Sequence, residues 1–131
     1  MSYVNYRESI TNSNTWTKKF DRSSKIVYIH ADYTSTATVG NRQIRLALID
    51  NLGNTVFDAH AGAVQAASLE LHYSFAQGVY RETAFVDSQI QVPIPQDIVI
   101  PAGYSIKVYD VANVDSNDDF IITYQVEEGI G

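Results

Sequence analysis

The sequence predicts an all-β domain, an antiparallel β-sandwich of about eight strands with jelly-roll-like connectivity. Three observations predict it. Apolar and polar residues alternate at period two along most of the chain from Lys25 onward. Turn formers recur between these runs at about 8–12-residue spacing, as in sandwiches and barrels. Nine Tyr and five Phe stand against one Met and one Trp, a balance that suits strands better than helices. Strands with one apolar face suit two antiparallel sheets packed against each other. An immunoglobulin-like sandwich is the second choice of topology.

Residues 1–24 differ from the rest. They are rich in Asn, Ser and Thr, with isolated aromatics at Tyr3, Tyr6, Trp16 and Phe20. They read as an N-terminal arm or an edge strand beside a sandwich over 25–131. In Lys25–Tyr33 the set Val27, Ile29, Ala31 and Tyr33 is expected inside. Ile44, Leu46 and Leu48 alternate with Gln43, Arg45 and Ala47. The turn formers Asp50-Asn51-Leu52-Gly53-Asn54 follow, and Thr55-Val56-Phe57 resumes, which makes 42–58 a hairpin.

Ala61–Ala67 has a helix-friendly composition. Beyond it, Leu69, Leu71, Tyr73 and Phe75 alternate strictly with Ser68, Glu70, His72 and Ser74, so this stretch reads as a half-buried strand. Tyr80–Asp87 is expected to be extended, and Ile90, Val92 and Ile94 form the next inward set. Three prolines within 93–101 forbid a helix there. Pro101-Ala102-Gly103 reads as a tight turn, with proline fixing φ and glycine supplying a positive one. Tyr104, Ile106 and Val108 follow it inward, and Phe120, Ile122, Tyr124 and Val126 line the last strand.

Composition narrows function mainly by exclusion. The chain has 131 residues and 14.6 kDa, one domain's worth. Hydrophobic residues make up 45% and charged residues 18%, which is globular. With no cysteine there is no disulfide scaffold, zinc finger or thiol nucleophile. The net charge of −6 argues against a nucleic-acid-binding domain, which needs clustered positive charge. No apolar run approaches the ~18 residues that span a bilayer. No secretion or transit signal is visible, so synthesis in the cytoplasm is expected. The charge is split: residues 1–45 hold seven bases and three acids, while 46–131 hold two bases and twelve acids. A positive front and an acidic body attract one another between copies.

Candidate chemistry is sparse. Asp115, Asn117 and Asp119 place oxygens at i, i+2 and i+4, as in the first half of a calcium loop. The glycine expected next is Phe120, and the twelfth position is Val126 rather than an acid. They are therefore weak candidates, and no metal or other cofactor is expected. His30, His60 and His72 show neither His-x-His nor His-Glu-x-x-His spacing. His72 falls on the polar face of its strand. There is no Gly-x-Ser-x-Gly elbow and no phosphate-cradling glycine loop, so the chain reads as a non-enzyme. Tyr28, Tyr80, Tyr104 and Tyr109 are candidates for a sugar-stacking platform.

The stretch Ile94-Pro-Gln-Asp-Ile-Val-Ile-Pro-Ala-Gly-Tyr-Ser-Ile-Lys-Val-Tyr-Asp110 resembles the C-terminal half of small all-β virion proteins of tailed bacteriophages. There a Pro-Ala-Gly turn precedes a strand ending in Val-Tyr-Asp, with an Asp-rich loop and an acidic last strand behind it. Asp115–Asp119 and Phe120–Glu128 stand in those places here. About a third of the chain carries the resemblance. It implies a jelly-roll protein that decorates or cements a capsid shell, with a tail or head–tail component as the alternative. A carbohydrate- or receptor-binding module is a further alternative.

The expected location is the virion, and the expected partners are other copies, as a trimer, and a capsid or other virion protein. Extended segments bind neighbours by adding a strand to an open sheet edge. Trp16 and Phe20 are the expected anchors, with Lys18, Lys19 and Arg22 facing an acidic patch on the neighbour.

Overall fold

A computed structural model describes residues 2–129 of the chain. Met1, and Ile130 and Gly131 at the end of the expected 25–131 unit, lie outside the described residues. Ten strands follow in order: β1 (Ser2–Ile10), β2 (Thr15–Lys19), β3 (Ser24–Thr34), β4 (Ile44–Ile49), β5 (Thr55–His60), β6 (Glu70–Ala76), β7 (Gln89–Pro93), β8 (Val99–Ile100), β9 (Ser105–Asp110) and β10 (Asp119–Glu128). No helix among the described residues is long and apolar enough to cross a membrane.

One sheet has the order β1-β10-β3-β6-β7, with β8 paired to β3; the other has the order β2-β9-β4-β5. Leaving out β7 and β8, the eight remaining strands pair antiparallel as first with last, second with seventh, third with sixth and fourth with fifth. Successive pairs alternate between the sheets, which is the connectivity of a jelly roll. The innermost pair, β4 and β5, is the expected hairpin. Its turn is organised by Asp50, whose Oδ1 accepts the N–H groups of Leu52 (2.9 Å) and Asn54 (2.8 Å).

The two inner faces meet in one core. Ile29, Ala31, Tyr33, Tyr73, Phe75, Phe120, Ile122 and Tyr124 come from the first sheet; Trp16, Ile44, Leu46, Leu48, Ile106 and Val108 come from the second. Burying each large side chain contributes about 1.5–3 kcal/mol. The Pro101–Gly103 turn is present, with Gly103 at φ +89° and the Tyr104 N–H bonded to the Pro101 carbonyl at 3.1 Å. It delivers Ile106 and Val108 to the centre of the core.

Three local expectations are corrected. Ile26, not Val27, is the buried residue at the start of β3. The register against β10 shifts there, with Val126 opposite Ile26 and Gln125 opposite Tyr28, so Val27 is the extra residue of a bulge. Leu69 is 42% exposed, because β6 begins only at Glu70. Tyr80–Asp87 is a loop, not a strand. β7 runs parallel to β6, and a parallel neighbour needs a crossover of about a dozen residues; residues 77–88 are that crossover.

Within residues 1–24, read as an arm or an edge strand, β1 lies along β10 and β2 along β9, as edge strands of the two sheets. Both strands are hydrogen-bonded into the sandwich rather than extending from it.

Candidate functional site

The expected partner-binding residues are split by burial. Trp16 and Phe20 are 2% and 4% exposed and belong to the core of their own chain, which corrects their reading as anchors for a neighbour. The cause is the alternation of β2, whose inward position is Trp16. Its indole Nε1 donates to Glu8 Oε2 at 2.6 Å, and its ring packs 5.2 Å from that of Tyr124. Lys18, Lys19 and Arg22 line one groove of about 240 Å³ with Tyr6 and Glu128, and Phe20 forms its floor. Lys18 Nζ lies 5.6 Å over the Tyr6 ring. Tyr6 donates to Glu128 Oε1 at 2.7 Å, and that bond raises the phenol's pKa. Three bases, Lys18, Lys19 and Arg22, meet two acids, Asp21 and Glu128, in this groove.

The acidic loop is tied into the fold. Asp115 Oδ2 accepts the hydroxyls of Thr36 (2.5 Å) and Thr38 (2.7 Å), and its Oδ1 accepts the Asn117 N–H (2.9 Å). These bonds hold its pKa down at about 2. Asp119 Oδ1 accepts the Asn12 N–H at 2.8 Å. The Asp115 and Asp119 carboxylates serve separate protein donors rather than a common point. Asp118, between them, turns inward to the buried Arg42.

A third cluster forms only through strand pairing. His30 and Asp32 sit two residues apart on one face of β3, and His72 of β6 is the direct cross-strand partner of Asp32. His30 Nε2 lies 2.9 Å from Asp32 Oδ1, and His72 Nδ1 contacts the same oxygen. The two imidazoles stack with centroids 5.9 Å apart and planes 15° apart. All three side chains are half-buried.

The crossover loop walls the two imidazoles into a cleft of about 300 Å³, lined also by Ser74, Glu82, Asp87 and Gln91. Its return is a two-residue turn in which Val86 and Gln89 exchange both backbone hydrogen bonds, 2.8 and 3.0 Å. Glu82 is fixed by the Gln91 N–H on Oε1 at 2.7 Å. Gly62 backs the loop closely enough that a Cβ there would overlap the carbonyl oxygen of Glu82. No His-x-His or His-Glu-x-x-His pattern marks the cluster, because it depends on the β3–β6 register. The available signal was His30-x-Asp32, two polar groups on one strand face.

The four candidate tyrosines do not share one surface. Tyr28 belongs to β3 in the first sheet and Tyr109 to β9 in the second. Lys107 Nζ lies 4.1 Å over the Tyr109 ring. Tyr80 is 90% exposed on the crossover loop.

No protein-family model matches the sequence, and no curated protein matches it. Among solved structures, a chain from the Gx strain of infectious bursal disease virus aligns with 98% of this chain and 33% of its own, at 11% identity and TM-score 0.35. A chain from tomato aspermy virus aligns over 96% and 78%, at 10% identity and TM-score 0.34. The agarase AgWH50C aligns over 98% and 23%, at 5% identity and TM-score 0.39. The chain thus spans about a third of the bursal disease virus chain and a quarter of the agarase. Similarity this low assigns neither a family nor a role.

Proposed function

We propose that this chain is a non-enzymatic structural protein of a bacteriophage virion, a capsid decoration or cement protein that works as a trimer. The observation that carries the reading is the Ile94–Asp110 segment. The residues that resemble small phage virion proteins are those that build the Pro101–Gly103 turn and the central strand β9. The jelly-roll body agrees with what that resemblance implies about fold. Docking on a neighbour uses the groove of Lys18, Lys19 and Arg22 against an acidic patch, and the open edges of β2 and β5, where backbone groups are available for pairing.

The test is to add the purified protein to capsids assembled from the shell protein encoded beside it and sediment the mixture. Wild-type chain is expected to pellet with the shells, and the triple variant Lys18→Glu, Lys19→Glu, Arg22→Glu to stay in the supernatant. Sedimentation equilibrium of the free protein is expected to return three times the chain mass. Absence of the protein from purified virions by mass spectrometry would overturn the reading.

A further inference from the structure

We propose that His30, Asp32 and His72 form a binding site for one divalent first-row transition-metal ion, of the kind zinc exemplifies. The proposal does not depend on the virion reading. Three observations carry it.

The first is the donor set. One nitrogen of each imidazole and one oxygen of Asp32 lie within 4.8 Å of one another. Tetrahedral zinc with bonds of about 2.0–2.1 Å holds its ligands about 3.4 Å apart. Small side-chain rotations therefore bring His30 Nε2, His72 Nδ1 and an Asp32 oxygen onto one ion. Two imidazoles and a carboxylate suit zinc, copper, iron or nickel. Calcium and magnesium require mostly oxygen ligands and are disfavoured here.

The second is rigidity. β3 and β6 are hydrogen-bonded neighbours inside the first sheet, and Asp32 and His72 face each other in the ladder. The backbone positions are fixed before any ion arrives, so little ordering cost remains at binding.

The third is charge and room. The acids Glu82 and Asp87 line the cleft beside His30 and His72, Asp32 adjoins it through its contacts to both imidazoles, and no lysine or arginine lines it. A cation is attracted to a concave site of one sign. The cleft volume of about 300 Å³ leaves space for a fourth ligand, water or the Glu82 carboxylate. Three protein ligands with an open position is the arrangement of exchangeable rather than closed metal sites.

The test uses the full chain, stripped of metal by a chelator and titrated with zinc chloride by calorimetry. Cobalt(II) absorption reports the coordination. One ion per chain is expected, with an intense tetrahedral-type cobalt band. Calcium and magnesium should not compete. Asp32→Asn and His72→Ala are expected to weaken zinc by more than the about 10–100-fold typical of losing an outer-shell partner. His60→Ala, at an exposed position on β5, should leave it unchanged. Zinc should raise the melting temperature of the wild type but not of Asp32→Asn, whose near-isosteric change retains the fold. No saturable one-to-one binding, or equal affinity in the wild type and Asp32→Asn, would overturn the site and leave only a hydrogen-bonded imidazole–carboxylate cluster.

Discussion

Arg42 and Asp118 form an ion pair, Nε to Oδ2 at 3.0 Å, with both side chains fully buried. The pair is surrounded by donors and acceptors. Tyr33 donates to Asp118 Oδ2 at 2.6 Å, and the Thr36 N–H donates to Oδ1 at 2.8 Å. Arg42 Nη1 donates to the carbonyls of Thr38 and Gly40. Burial pushes the Asp118 pKa up, but the hydrogen bonds from Arg42 and Tyr33 outweigh it and hold the carboxyl below its ordinary value. The network joins the segment after β3 to the loop before β10.

Removing one member leaves the other charged and buried. Arg42→Met is expected to destabilise the fold by about 3–5 kcal/mol, the range for breaking a buried pair from one side. Urea unfolding would show this as a lower midpoint at unchanged slope. A loss under about 1 kcal/mol, within the range of exposed pairs, would mean that the pair is open to water.

The burial of Trp16 makes a contrasting prediction within five residues. Trp16→Ala is expected to cost about 3–5 kcal/mol through the cavity it leaves. Lys19→Ala, on an exposed position of the same strand, should stay within about 0.5 kcal/mol. Deleting 1–24 removes β1, β2 and Trp16 together, so circular dichroism of the truncated chain should show loss of the fold.

Period-two alternation is enough to find the inward sets of β4, β6, β9 and β10, because alternate residues of those strands face the core, but it leaves Ala47 of β4 outside although that residue is fully buried on the opposite face. It failed at Val27, where a bulge reverses the alternation and only the partner strand reveals it. It failed at Tyr80–Asp87 because a crossover and a strand share composition; the parallel pairing of β6 and β7 that demands the crossover is a tertiary fact. Trp16 misleads for a different reason. Its polar neighbours Asn14, Thr15, Thr17 and Lys18 resemble an exposed arm, yet an edge strand of a sandwich needs only one inward anchor. The sequence shows His30-x-Asp32 but neither the joining of His72 to it nor the Arg42–Asp118 pair, because register, not spacing, brings those members together.

The turn that closes the cleft carries removable strain. Asp87 and Ser88 both have positive φ, 50° and 64°. That is the type I′ conformation, which favours Asn-Gly or Asp-Gly. A non-glycine residue in the left-handed region costs about 1–2 kcal/mol, of which glycine's greater unfolded-state freedom takes back about 0.5–1 kcal/mol. Ser88→Gly is therefore expected to stabilise by up to about 1.5 kcal/mol, read as a rise in melting temperature. A fall would show that the Ser88 side chain contributes more than its backbone loses.

Acid should weaken the fold partly through Asp115. Its carboxyl is held at about 2 in the folded chain by the Thr36 and Thr38 hydroxyls, against 3.8 for the free group. A depressed carboxylate favours the folded state in full above its unfolded value, and the contribution fades as pH falls from about 3.8 through about 2. Above that window Asp115 adds no slope. Urea midpoints measured from neutral pH down to about 2 should therefore bend downward below about 4. Asp115→Asn, which keeps an acceptor oxygen but cannot titrate, should be less stable than the wild type at neutral pH and should lose less on acidification. If the two curves run parallel through the window, the threonine hydroxyls are not bonded to that carboxylate in solution.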